Sequence, residues 1–120
     1  MKEKKGCFKG LDIEKCWLPL TANLIDASNM AMQISNGDDM KYCQIMMGAH
    51  ELMQPLYVSK NAMDICTYDR MFQVFIYVFE FIYGDPNCTG INGKPFVGVE
   101  EFFKDIRKNW YVDIRKKLEN

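Results

Sequence analysis

One histidine, four prolines and no membrane-length apolar stretch are the scarcities of this 120-residue chain. The longest apolar run, Met71 to Tyr83, is broken by Gln73 and Glu80, whereas a membrane helix needs roughly 20 consecutive apolar positions. No membrane contact is therefore expected. The single histidine, His50, excludes sites built from two imidazoles. His50-Glu51 begins like a zinc-protease helix, but that pattern needs a second histidine four residues on, and the residue there is Gln54. The five cysteines, Cys7, Cys16, Cys43, Cys66 and Cys88, include no close pair of the kind that holds zinc. Charge of one sign is missing as well: 15 basic groups face 16 acidic ones, with no block dense enough to draw a polyanion. Neither a metal nor any other cofactor is expected, and nucleic acid is an unfavoured partner.

What is present suffices for a folded core. Hydrophobic residues make up 48% of the chain, charged residues 26% and aromatics 13%, far from the composition of disordered proteins. The length suits one domain, here divided into an N-terminal arm over 1–18 and a single helical domain over 19–120. The arm carries Phe8, Leu11, Ile13, Trp17 and Leu18, enough apolar surface to pack on something. An odd cysteine count, and a lysine-rich start without an apolar leader, favour a cytoplasmic protein with reduced thiols. One glycosylation sequon, Asn87-Cys88-Thr89, would matter only in a secreted protein.

Periodicity predicts four helices. From Pro19, the residues Leu20, Leu24, Ala27, Ala31 and Ile34 recur at helical spacing, and Ser35-Asn36-Gly37 offers a left-handed stop. Asp38 or Asp39 can cap a second helix, with Ile45, Ala49, Leu52, Met53 and Leu56 inward and Lys41, Gln44, Gly48 and Glu51 outward; Pro55 should end or bend it. The stretch Val74 to Phe79 is rich in β-branched and aromatic residues and could be a strand. The polar positions Asp69 or Arg70, Gln73, Glu80 and Gly84 nevertheless keep to one helical face, so a helix over 61–83 is expected, capped by Ser59 or Asn61. Residues 84–98 hold four glycines and two prolines and read as a loop, with a tight turn at Asn92-Gly93. A last helix follows, with Val99, Phe102, Phe103, Ile106, Trp110, Ile114 and Leu118 inward. The fold class is thus all-α, a small bundle of about four helices centred on 61–83. The alternative is α+β with a short hairpin at 88–97.

The candidate chemistry is thin. Asp85, Asn87, Thr89 and Gly90 occupy four positions of a calcium loop, but its bidentate glutamate is replaced by Phe96, so a plain connector is expected. Cys43 and Cys66, among apolar neighbours, read as small core residues, and Cys7, Cys16 and Cys88 as the exposed ones. The basic residues of the last helix, with Trp110 and Tyr111 among them, alternate with acids and read as a solvated face. Eight of the nine methionines fall between Met30 and Met71, and the adjacent pair Met46-Met47 cannot both face one core. The third helix is apolar nearly all round, which its own neighbours or another chain must cover.

These observations favour a protein-protein interaction module without catalytic activity: a homo-oligomer, an adaptor or a small inhibitor of a larger protein, of the kind viruses and mobile elements encode. Its expected contact surface is Tyr68, Phe72, Tyr77, Phe81, Tyr83, Met46 and Met47. The alternative is a helical bundle that binds a small ligand or metal between helices, with His50 and Glu51 as contacts.

Overall fold

Asn23 opens the first helix. It lies in extended backbone at φ −147°, and its side-chain oxygen accepts the Ile25 amide at 2.8 Å. Helix α1 therefore spans Leu24–Ser35 and begins after the Pro19 start that the spacing suggested. The computed structural model describes residues 20–57, 64–85, 87–90 and 93–119. The arm over 1–18, Pro19 and the expected caps Ser59 and Asn61 lie outside them.

The turn that follows is as the residues dictate. Asn36 takes the left-handed conformation at φ 53°, its amide donates to the Met32 and Gln33 carbonyls, and Gly37 follows at φ 86°. Asp38 Oδ1 accepts the Lys41 amide at 3.1 Å and launches α2, Asp39–Tyr57. The expected inner stripe, Ile45, Ala49, Leu52, Met53 and Leu56, is buried. Pro55 sits inside the last turn of α2, and the helix runs two residues past it before ending. Its missing donor falls where only one turn remains to be lost.

Helix α3, Ile65–Val78, continues as a π-helical turn, π1, over Phe79–Tyr83. Helix rather than strand is what Val74 to Phe79 forms. Its cap is Asp64, whose carboxylate accepts the Thr67 amide at 2.8 Å. That bond holds the Asp64 carboxyl below its ordinary pKa of 3.8. Met71 to Ile76, Val78 and Phe79 are all buried, so α3 is the central element, packed on α1 and α2. Gln73 corrects the sequence reading. It was placed on a polar outer face, yet it is 1% exposed, because residues 21–23 cross over it and its Nε2 donates to the Asn23 carbonyl and to Thr21 Oγ1.

A loop then leads to α4, Val99–Asp105, a second π-helical turn, π2, Ile106–Trp110, and α5, Tyr111–Glu119, which together form one continuous rod. Gly98 at the cap position has no side chain to offer, and Glu101 Oε1 instead reaches back to accept the Val97 amide at 2.6 Å. In the loop the Gly90 amide donates to the Lys94 carbonyl and the Gly93 amide to the Gly90 carbonyl, with Gly93 at φ 81°. No strand forms among the described residues, so the alternative with a hairpin at 88–97 is not the fold. Among the described residues the fold is an all-α bundle of four helical rods with a Gly-rich loop before the last.

The last rod packs on α2 and reaches π1 through aromatic rings. Phe79 stacks on Tyr83 at a 4.5 Å centroid separation and meets Phe102 edge-on at 5.0 Å, and Phe96 meets Phe102 at 4.9 Å. The inner positions Ile106, Trp110 and Ile114 are four residues apart, a spacing at which an ideal α-helix drifts round its axis. The wider π2 turn absorbs that drift, and all three remain buried. The side chain of Leu118 lies outside the described residues.

Candidate functional site

The two polar residues expected to share a ligand diverge. His50 Nδ1 lies 3.2 Å from the Tyr68 hydroxyl on the α3 side of α2, whereas Glu51 Oε1 accepts from Arg107 Nη1 at 2.8 Å on the π2 side. Both residues are exposed, and the Glu51–Arg107 pair is a solvated ion pair. Among the described residues no group of three or more His, Cys, Asp or Glu side chains is placed to hold a metal ion.

A cleft of about 160 Å³ lies between α2 and the last rod, lined by Met47, Gly48, Glu51, Phe103, Lys104 and Arg107 among others. Gly48 is the reason the two helices approach: the Phe103 ring occupies the space a side chain there would fill. The periodicity had put Gly48 on an outward polar face; it is half-buried under that ring. Met47 is 62% exposed at the mouth of the cleft, while Met46 is half-buried against the core, as adjacent helical positions require. Glu51 is thus a cleft residue and His50 is not.

The expected aromatic surface is smaller than the sequence suggested. Phe72 is buried and leaves it, because α3 is covered on nearly every side by its own neighbours. Tyr68 and Tyr83 are half-buried, the first beside Phe72 and His50, the second stacked on Phe79 with Lys41 Nζ 5.7 Å from its ring centre. Tyr77 and Phe81 remain. Their rings lie 6.0 Å apart, Tyr77 half-buried and Phe81 57% exposed, at the junction of α3 and π1.

The thiols reverse the expected order. Cys43 and Cys66, read as core residues, are exposed and free. Cys88, read as an exposed thiol, is buried and disulfide-bonded. Ile45, the buried apolar neighbour of Cys43, points to another side of α2, and Ile65 beside Cys66 is itself exposed, so apolar neighbours in sequence did not mark a buried side. The expectation of reduced thiols therefore fails at Cys88. Trp110, which lies among the basic residues of the last helix in sequence, is buried with its indole N–H donating to Asp105 Oδ2 at 2.7 Å.

No described helix is long and apolar enough to cross a membrane. Set against protein-family models, curated proteins and solved structures, the chain matches none of them.

Proposed function

We propose that this chain is a protein-binding module, without catalytic activity of its own, whose contact surface is centred on Phe81 and Tyr77. The observation that carries the reading is the exposed ring of Phe81 beside that of Tyr77, on a helix whose other large apolar residues are almost all buried. A Phe side chain is worth about 1.5–3 kcal/mol when taken out of water, and an adjoining pair of rings is the type of anchor protein interfaces use. The π turn that carries Phe81 supports the same reading, since such turns gather at functional positions. The divergence of His50 and Glu51 speaks for recognition over catalysis.

The simplest partner is a second copy of the chain, and sedimentation velocity over a range of concentrations tests it. A concentration-dependent dimer or higher oligomer is the expected result, while a sharp monomer at every concentration would overturn self-association. The cleft between α2 and the last rod favours a second reading, a small polar ligand held near Glu51, Lys104 and Arg107. At about 160 Å³ the cleft falls short of the roughly 300 Å³ at which ordinary ligand pockets begin. A bound mass in a native mass spectrum would move the ligand reading to first place.

A further inference from the structure

The sequon Asn87-Cys88-Thr89 is the only Asn-x-Ser/Thr in the chain. Asn87 is exposed, in the irregular segment that follows π1. Its own amide donates to Asp85 Oδ1 at 2.9 Å, and the Cys88 amide donates to the Asp85 carbonyl at 3.0 Å. The acceptor is therefore displayed on a tight turn outside any helix, where a bulky group costs no packing. A sequon alone is a weak sign, because three-residue patterns arise by chance. The second observation is independent of the pattern. Cys88, between the two recognition residues, is disulfide-bonded, and such bonds persist in oxidising compartments, the same compartments in which asparagine-linked glycans are attached.

We propose that Asn87 is an acceptor of an N-linked glycan and that the chain matures in the secretory pathway. In the transfer, Asn87 Nδ2 bonds to the anomeric carbon of a lipid-pyrophosphate-linked oligosaccharide, the glycosyl-phosphate bond breaks, the lipid pyrophosphate leaves, and Nδ2 gives up a proton. Thr89 supplies the hydroxyl by which the transferase recognises the site. It is half-buried and Cys88 fully buried in the folded chain, so transfer precedes closure of the Cys88 disulfide, and the two events compete.

The test is translation of the full chain, preceded by a cleavable secretion leader, in the presence of endoplasmic-reticulum microsomes. The expected product is a species heavier by one glycan, reversed by an amidase that removes N-glycans, absent from Asn87→Gln and Thr89→Ala, and more abundant when a reductant holds Cys88 open. Because transfer precedes folding, a variant that folds poorly still reports. A wild-type chain that is protected inside the microsomes yet unshifted would overturn the proposal, as would a shift that survives Asn87→Gln. The Cys88 disulfide is tested separately by alkylating the denatured chain before and after reduction. Two fewer thiols before reduction are expected, and equal numbers would remove the argument from Cys88.

Discussion

A Cβ built on Gly48 would stand 2.3 Å from Cδ2 of Phe103 and 2.5 Å from its Cγ, so the α2 crossing with the last rod depends on residue 48 having no side chain. Glycine inside a helix is a liability of roughly 1 kcal/mol relative to alanine, and a helix-propensity argument alone would make Gly48→Ala stabilising. The close approach reverses the sign. The colliding atoms belong to the root of a buried ring, which cannot swing aside without moving the helix. We expect Gly48→Ala to destabilise by about 1–3 kcal/mol in urea unfolding, and Phe103→Ala, which removes the colliding atoms, to cost less in the Gly48→Ala background than in the wild type. A stabilised single variant would show that the crossing is looser than its geometry implies.

Gln73 gives the second prediction. Its buried amide donates to the Asn23 carbonyl and Thr21 Oγ1, tying the entry of α1 to the central helix. Gln73→Leu keeps the bulk and leaves that carbonyl without its donor, at a cost of about 1–3 kcal/mol. Gln73→Glu adds a pH signature. A carboxylate there is desolvated and faces a carbonyl, so its folded pKa rises above the unfolded value of about 4.3. The penalty is absent at acid pH, grows once the unfolded chain ionises above that value, and is complete above the folded pKa. Melting temperature against pH, wild type beside variant, checks it; parallel curves would sink the argument.

The two cases show where the sequence was legible. Periodicity placed the four rods and the inner stripe of α2, because a residue's side of a helix follows from spacing alone. Asn36 and Asp38 were legible for the same local reason: caps are settled by neighbours within four residues. Gln73 and Gly48 were misjudged because their surroundings come from distant chain, residues 21–23 over one and Phe103 over the other. Both sat on faces that look polar, and nothing local says which polar face will be crossed. The π turns were invisible for a related reason. Two successive four-residue steps among Ile106, Trp110 and Ile114 hinted at π2, but an α-helix tolerates such drift unless both sides are clamped. For the candidate site, Phe81 and Phe72 are alike in sequence, and only packing makes one a surface residue and the other core.

Asp105 stands at the entry to π2 and accepts from Asn109 Nδ2 at 3.1 Å and from the Trp110 indole at 2.7 Å. Asp105→Ala leaves a buried indole N–H without its acceptor, and we expect a loss of about 1–3 kcal/mol. Tryptophan emission in a Trp17→Phe background, where Trp110 is the single emitter, reports the change. Asp105→Asn retains one acceptor oxygen and should cost less; equal losses in the two variants would show that the carboxylate charge, rather than the hydrogen bond, matters.

Asp64 offers a prediction at acid pH. Its depressed pKa arises from the bonds it accepts from Thr67. A group with a lowered folded pKa contributes stability that is present above its unfolded value, near 3.8, and lost as pH falls through the folded value. Wild type should therefore lose stability below about pH 4 more steeply than Asp64→Ala, which is less stable at neutral pH and converges with wild type in acid. Thermal melts between pH 2 and 7 decide this, and a constant gap across that range would contradict it.

Phe79 and Phe81, two residues apart on π1, separate folding from association. Phe79 is fully buried among Tyr83, Phe102 and Phe103, and a carboxylate there has no partner to offset its desolvation. Phe79→Glu is expected to unfold the chain, with helical circular dichroism lost at neutral pH. Phe81→Glu puts the same charge on an exposed ring and should leave helicity and melting temperature within about 0.5 kcal/mol of wild type. If Phe81 anchors an interface, that variant weakens association at least tenfold, since an anchoring ring is worth about 2 kcal/mol or more and tenfold needs only about 1.4. Sedimentation velocity and melting on the same samples keep the two effects apart. A Phe81→Glu chain that folds and assembles like wild type would move the contact surface away from π1, and the exposed side of α2 at Met40 and Met47 would be the next place to put a charge.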